Sequence, residues 1–354
     1  MRTDHWAYFH QEPIHSGSIK QYEADFHVKE KLGYSPTGEG EHIYLWVRKQ
    51  GLNTAFVAEH IAKFCRLPLR AVTYAGRKDK HAVTEQWFSV HKPGKMEYDW
   101  TTLALDGLDV LSAQRHNKKL RTGVLKSNEF RLIIRNLTGT SGIEEQIQRI
   151  AKFGVPNYFG PQRFGSSLHH PHGGNLALAE KILQGETIRN RNKRSMAISA
   201  LRSWLFNEFI SQRITQRKYT KAMAGDVCLL AGTNSFFNAG DNDQDVAIRL
   251  QQKDIALSAP MWGEGELASN GEAKQFECSV AQQFDLQCKS LESLGLLQER
   301  RAIHLHPENL QWKIIDNQLE IKFELPSGAF ATSVVREIVK VSEPGASDEN
   351  TIEQ

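Results

Sequence analysis

The sequence is poor in cysteine: Cys65, Cys228, Cys278 and Cys288 are the only four in 354 residues, and no two form a C-x-x-C pair. That removes the usual thiolate metal and redox motifs. No apolar run approaches the roughly 20 residues that span a bilayer. The opening Met1-Arg2-Thr3-Asp4-His5-Trp6 lacks the apolar segment of a secretory signal. These absences lead us to expect a reduced, cytoplasmic chain with no membrane partner and with its cysteines packed in cores. Nucleotide cradles are missing as well. There is no P-loop. Gly38-Glu39-Gly40-Glu41-His42-Ile43 starts like a dinucleotide fingerprint but lacks the third glycine and precedes a strand pattern. Asp241, Asp243 and Asp245 have the spacing of a calcium loop's first ligands. Val246 stands where that loop needs Gly, and Gln252 where it needs Glu. His169, His170 and His172 have no H-E-x-x-H frame and no carboxylate nearby, and they read as a loop.

What is present is enough apolar residue, 40%, to build a sizeable core, in a chain long enough for about two domains. The net charge of +3 says little about partners, but its distribution says more. Positive charge gathers in four windows: Arg77, Lys78 and Lys80 around one acid; Arg115, Lys118, Lys119 and Arg121; Arg189, Arg191, Lys193 and Arg194; and Arg213, Arg217, Lys218 and Lys221. Such blocks can neutralise phosphates or simply be solvated faces.

Strand patterns occur at 43–47, 86–90 and 130–134, rich in β-branched and aromatic residues. Asn53 followed by Phe56, Val57, Ile61 and Phe64 predicts a capped helix. Ser141 and Glu144 form a capping-box pair before Ile143, Ile147 and Ile150, with Gly154 as the stop. The stretch from Gly154 to Gly165, dense in Gly and Pro, reads as a loop and a domain boundary. A second helix is expected to open at Ser195, with Ile198, Leu201, Leu205, Phe209 and Ile214 on one face. A hairpin follows at 312–325, turning at Asp316-Asn317-Gln318, with Leu319, Ile321, Phe323 and Leu325 alternating with polar residues. After Glu343 the composition predicts a disordered tail. Irregular alternation with hairpin signals favours an α+β fold over a doubly wound parallel sheet.

The run around Asp79 carries the sharpest chemistry. One carboxylate sits among Arg77, Lys78, Lys80 and His81, behind Gly76. Neighbouring cations favour its ionised form, and an ionised carboxylate can be a nucleophile. The residues alone leave a second reading open: a surface turn with a local ion pair.

The run Ala75-Gly76-Arg77-Lys78-Asp79-Lys80-His81-Ala82-Val83-Thr84-Glu85-Gln86 resembles the signature of the TruD family of tRNA pseudouridine synthases. Other segments resemble the family's motifs in order: Phe26-His27-Val28-Lys29-Glu30, Gly51-Leu52-Asn53-Thr54, Leu120 to Phe130, the loop from Gly154 to Gly165, and Leu325 to Thr332. The similarity runs from about residue 19 to about residue 340.

The resemblance implies isomerisation of uridine to pseudouridine at position 13 of tRNA, without cofactor or metal. It implies a pseudouridine synthase catalytic domain with a mainly antiparallel sheet, formed by 1–153 and 305–342. A family-specific TRUD domain would be inserted at 154–304, and 343–354 would be the tail. Asp79 would be the nucleophile. Asn128 would fix geometry beside it, Phe130 would stack on the uridine, and Phe26 and Phe330 would line the pocket. Lys20 would pair with Asp79, although Gln21-Tyr22-Glu23-Ala24 departs from the family's usual P-E-D there. The basic blocks at 115–121 and 189–221 would be phosphate contacts of a monomer that clamps tRNA. The competing function is a structured-RNA-binding protein or RNA chaperone without catalysis, which would use the same basic blocks and aromatics but gives an anion at Asp79 no purpose.

Overall fold

The structure, a computed structural model, describes residues 1–165, 172–233, 235–241 and 243–342. The expectations for His169, His170 and the tail at 343–354 fall outside the described residues. The fold is α+β, with mainly antiparallel sheets. Contacts divide the chain into two compact units. One contains Met1–Pro13, Glu144–His306 and Ala329–Ile338, and the other Ile14–Ile143, Pro307–Gly328 and the chain from Val339 on. By contacts, then, the segment 144–306 groups with the N-terminal residues and with a short stretch after Gly328.

The second unit is built on an eight-stranded sheet. Seven strands follow in the order Glu308–Ile315, Gln318–Pro326, Leu125–Ile134, Phe26–Leu32, Val83–His91, His42–Gln50 and Leu108–His116, and Val72–Tyr74 pairs with Val83–His91. Phe26–Leu32 runs parallel to Val83–His91, while the other pairs are antiparallel. The strand patterns at 43–47, 86–90 and 130–134 lie inside longer strands, and the hairpin turns at Asp316 and Asn317.

Because side chains alternate across a strand, the registers assign whole rows to one face. Ile43, Leu45, Val47 and Lys49 share a face with Thr84, Gln86, Phe88 and Val90, with Phe26, Val28 and Glu30, and with Asn128, Phe130 and Leu132. Helix Thr54–Phe64 lays Val57, Ala58 and Ile61 over the apolar part of this face, against Ile43, Leu45, Phe88 and Val90. Each such fully buried aliphatic side chain contributes about 1.5–3 kcal/mol. Asn53 occupies the position before this helix as expected, but its side chain makes no capping bond. The opposite face is charged. There Glu85 meets His27, Lys29 and Arg48, and Lys31 bridges Glu129 and Glu324.

The first unit centres on the 25-residue helix Arg191–Thr215, whose Leu201, Leu205, Phe206, Phe209 and Ile210 are fully enclosed. It packs against an antiparallel sheet ordered Phe236–Asn238, Val227–Leu230, Ile255–Met261, Glu299–Ala302. The helix starts four residues before the expected Ser195. Asn190 caps it by accepting from Lys193 N at 3.0 Å, and its first turn, exposed and polar, carries no apolar period to announce it. The stretch from Gly154 to Gly165 is more ordered than a loop. Val155–Pro156 pairs with His304–Leu305, and Pro161–Phe164 is a short helix. Asp243, once a candidate calcium ligand, is a helix cap that accepts from Val246 N at 3.1 Å. Among the described residues, no group of His, Cys, Asp and Glu is placed to hold a metal.

Candidate active site

Asp79 sits in the loop that leads into strand Val83–His91, and buried side chains hold that loop at several points. Lys49 ends the apolar row Ile43, Leu45, Val47 and is fully buried. Its Nζ donates to Leu52 O at 2.8 Å and to Asp79 O at 2.9 Å. Gln86 Nε2 donates to Gly76 O at 2.7 Å. Thr54 Oγ1 accepts from Lys78 N at 3.0 Å and donates to Gln86 Oε1 at 3.1 Å. Glu30 accepts from Trp87 N at 2.8 Å and pairs with Lys78 Nζ at 2.7 Å. The loop that carries Asp79 is therefore held, through its backbone and through Lys78, by side chains from two neighbouring strands, from its own strand and from the start of a helix. Preorganisation of this kind matters where small displacements of a reacting group are costly.

The carboxylate has defined partners. Asp79 Oδ2 accepts from Lys20 Nζ at 2.5 Å, and Oδ1 accepts from His81 N at 3.1 Å. Lys20 has φ +58, a left-handed backbone that side-chain-bearing residues seldom adopt, and its ammonium lies 4.9 Å from the centre of the Phe26 ring. A cation so placed gains from the ring face as well as from the carboxylate. Burial pushes the Lys49 ammonium down to about 8, against the attraction of Asp79. Burial also raises the Glu30 carboxyl above its ordinary value, against the pull of Lys78. Lys78 is thus turned inward, while Arg77, Lys80 and His81 are exposed.

Phe26, Asn128 and Phe130 lie on the same sheet face as Lys49. The Phe26 and Phe130 rings meet edge to face at 6.4 Å, and Phe130 stacks on Phe323 at 5.6 Å. Asn128 stands opposite Glu30 in the register, and its Oδ1 is buried without a hydrogen-bond partner among the described residues. A buried acceptor left unsatisfied costs about 1–3 kcal/mol, a cost that a substrate donor can relieve. Phe330 belongs to the other unit, where its ring meets Phe159 edge on at 5.6 Å. An open concavity of 560 Å³ in the second unit lies on the charged sheet face, lined by Lys29, Lys31, Trp46 and Trp87 among others.

The sequence did not single out Lys49, Thr54 or Gln86. Lys49 was detectable in principle, because it falls on the buried parity of 43, 45 and 47, where a lysine needs partners. Two of the basic blocks change meaning. Arg213 faces no solvent: it forms a two-pronged pair with Asp226, at 2.7 and 2.8 Å, and both side chains are buried. Arg115 ties Glu97 to the carbonyls of Gly40, Lys92 and Met96. Both guanidiniums are engaged by partners within the protein. Lys118, Lys119 and Arg121, and Arg189, Arg191, Lys193 and Arg194, are exposed.

Comparisons with known proteins agree on one family. The family profile described as tRNA pseudouridine synthase D (TruD) matches residues 3–189 and 187–338. A protein of Pseudoalteromonas atlantica named tRNA pseudouridine synthase D is 58% identical over 341 residues, covering 96% of this chain and 97% of its own length. One of the same name from Aeromonas hydrophila is 46% identical over 350 residues, 98% of each chain. A Methanosarcina mazei protein, solved as a crystal structure under the TruD name, superposes with a TM-score of 0.69 at 18% identity, covering 96% of this chain and 95% of that one, and so shares the fold. With a profile match over nearly the whole chain and relatives of this identity, the chain belongs to the TruD family of tRNA pseudouridine synthases, which are isomerases.

Proposed function

We propose that this chain converts uridine 13 of tRNA into pseudouridine, with Asp79 as the nucleophilic carboxylate. The reaction breaks the N1–C1′ glycosidic bond, turns the uracil, and joins C5 to C1′. The proton on C5 is lost and N1 gains one, so atoms balance and no electrons are exchanged. Such chemistry needs no redox cofactor. A base stacked in a helix cannot turn, so the uridine is extruded first. The observation that best supports this reading is a carboxylate gripped by Lys20 at 2.5 Å on a loop whose main chain is pinned by Lys49.

Phe130 and Phe26 supply aromatic faces for an unstacked base, and Asn128 offers its unsatisfied oxygen to a donor such as the uracil N3–H. Four free cysteines, three of them buried, suit a reducing compartment, and we place the enzyme in the cytoplasm, acting as a monomer on tRNA.

The test is tritium release from tRNA carrying [5-³H]uridine. Wild type releases tritium and Asp79→Asn does not. Full release from Asp79→Asn would sink the nucleophile assignment. Binding without release by wild type would favour an RNA-binding protein lacking catalysis.

A further inference from the structure

Two arginines of the first unit lie against one aromatic ring. Arg301 places its guanidinium 4.2 Å from the centre of Phe159, and Arg163 places its own at 5.2 Å. The ring is a fixed platform: Phe159 N donates to Asn207 Oδ1 at 2.9 Å, and Asn207 Nδ2 donates to Phe159 O at 3.0 Å. The arginines are steered too. Arg301 donates to Asn157 Oδ1 at 3.0 Å, and Asn157 in turn donates to Ala302 O at 2.8 Å. Arg163 donates to Ser199 Oγ at 3.0 Å, its Nε is buried without a partner among the described residues, and none of its described partners is a carboxylate. Its guanidinium also approaches the Phe330 ring at 5.9 Å.

Burial lowers both guanidinium pKa values, and the like charge of Arg163 further depresses Arg301, to about 10. The like charges of Arg163 and Arg301 repel each other beside the shared ring. An anion with several oxygens relieves that repulsion, since planar forks match a phosphate's geometry and gain strength where water is scarce.

We propose that Arg163 and Arg301 together grip one phosphodiester group of the RNA, with Phe159 as the rigid backing. The inference rests on the reading that the chain acts on tRNA, and it adds a specific phosphate site to it. The side chains come from opposite ends of this unit's long central segment, so neither stands in a basic block that charge counting would find.

The test is a phosphate scan. tRNA is assembled with a single neutral methylphosphonate linkage, moved one position at a time, and its affinity is measured for wild type, Arg163→Gln and Arg301→Gln. For wild type one linkage stands out, with a loss of about tenfold or more. For both variants binding is weaker throughout, and that linkage no longer matters. If either glutamine variant fails to fold, the corresponding lysine variant replaces it. Lysine keeps the charge and loses the fork, and the sensitive linkage is again expected to lose its distinction. Variants that retain the wild-type profile, linkage for linkage, overturn the clamp. So does a flat wild-type scan combined with titration showing that inorganic phosphate binds wild type and not the variants, which would make the ligand a free phosphate. Tritium release from unmodified tRNA is measured on the same wild-type protein. Its absence removes the functional reading itself, whereas release with an unaltered profile removes only the clamp.

Discussion

Replacing Lys49 with methionine separates what this residue costs the fold from what it does for the site. Methionine fills nearly the same volume without charge or donors. In wild type the ammonium is fully enclosed and its pKa falls from 10.5 to about 8. That difference corresponds to about 3 kcal/mol between folded and unfolded protonation. The sign follows from proton counts. Between those two values the unfolded chain still binds the proton and the folded chain has released it, so stability rises with pH across the interval. Near neutral pH the charged, buried lysine therefore costs nearly the full amount. By about pH 9.5 roughly 2 kcal/mol of that cost is gone. Lys49→Met has no such group, and other titrations cancel in the comparison. Urea unfolding of both proteins at about pH 7 and about pH 9.5 should show wild type gaining roughly 2 kcal/mol relative to the variant. Activity at neutral pH should move the other way. With Asp79 O and Leu52 O left without their donor, the loop can shift, and a displacement of about 1 Å at a reacting group costs about a hundredfold in rate. A stability difference that stays flat with pH would refute the reasoning, as would a variant that turns over like wild type.

Charge reversal at Arg191 and Lys193, both exposed at the start of the long helix, should weaken tRNA binding. It should also reduce the slope of log affinity against log salt by about 1 for each phosphate that is no longer neutralised, read from binding at several salt concentrations. Identical slopes would make this block a solvated face. Asp226→Asn should destabilise the first unit by about 3–5 kcal/mol in equilibrium unfolding, because it leaves the buried guanidinium of Arg213 uncompensated. Catalytic parameters of the fraction that remains folded should hardly change.

Local pattern was legible where it repeats. Ile43, Leu45 and Val47, or Leu319, Ile321, Phe323 and Leu325, declare a strand by period two. The start of helix Arg191–Thr215 was not legible, because Arg191, Asn192, Lys193 and Arg194 carry no apolar beat. Arg213 read as part of a basic block since its partner, Asp226, reveals itself only when the chain folds back. Lys49 was passed over for a related reason: a lysine on an apolar parity looks like an error until its two carbonyl acceptors arrive from Leu52 and from the loop at Asp79. The Asp79 run itself is local, and so its family resemblance could be read directly. The two arginines on Phe159 could not, since residues 163 and 301 become neighbours only through the fold.

The sheet that carries Asp79 is not continuous in time. Its strand Leu125–Ile134 pairs on one side with Phe26–Leu32 and on the other with Gln318–Pro326, Phe130 lying opposite Phe323. On a ribosome, every residue from 144 to 306 is made between those two partners. At roughly 5–20 residues per second the free edge of Leu125–Ile134 waits about 10 to 40 seconds for its last neighbour. For that interval the nascent chain presents the very row that bears Asn128 and Phe130 as an open strand, the kind of edge that invites pairing with other chains. Charged Glu129 and Arg131 on its other parity are then protection for an unfinished protein as much as decoration of a finished one.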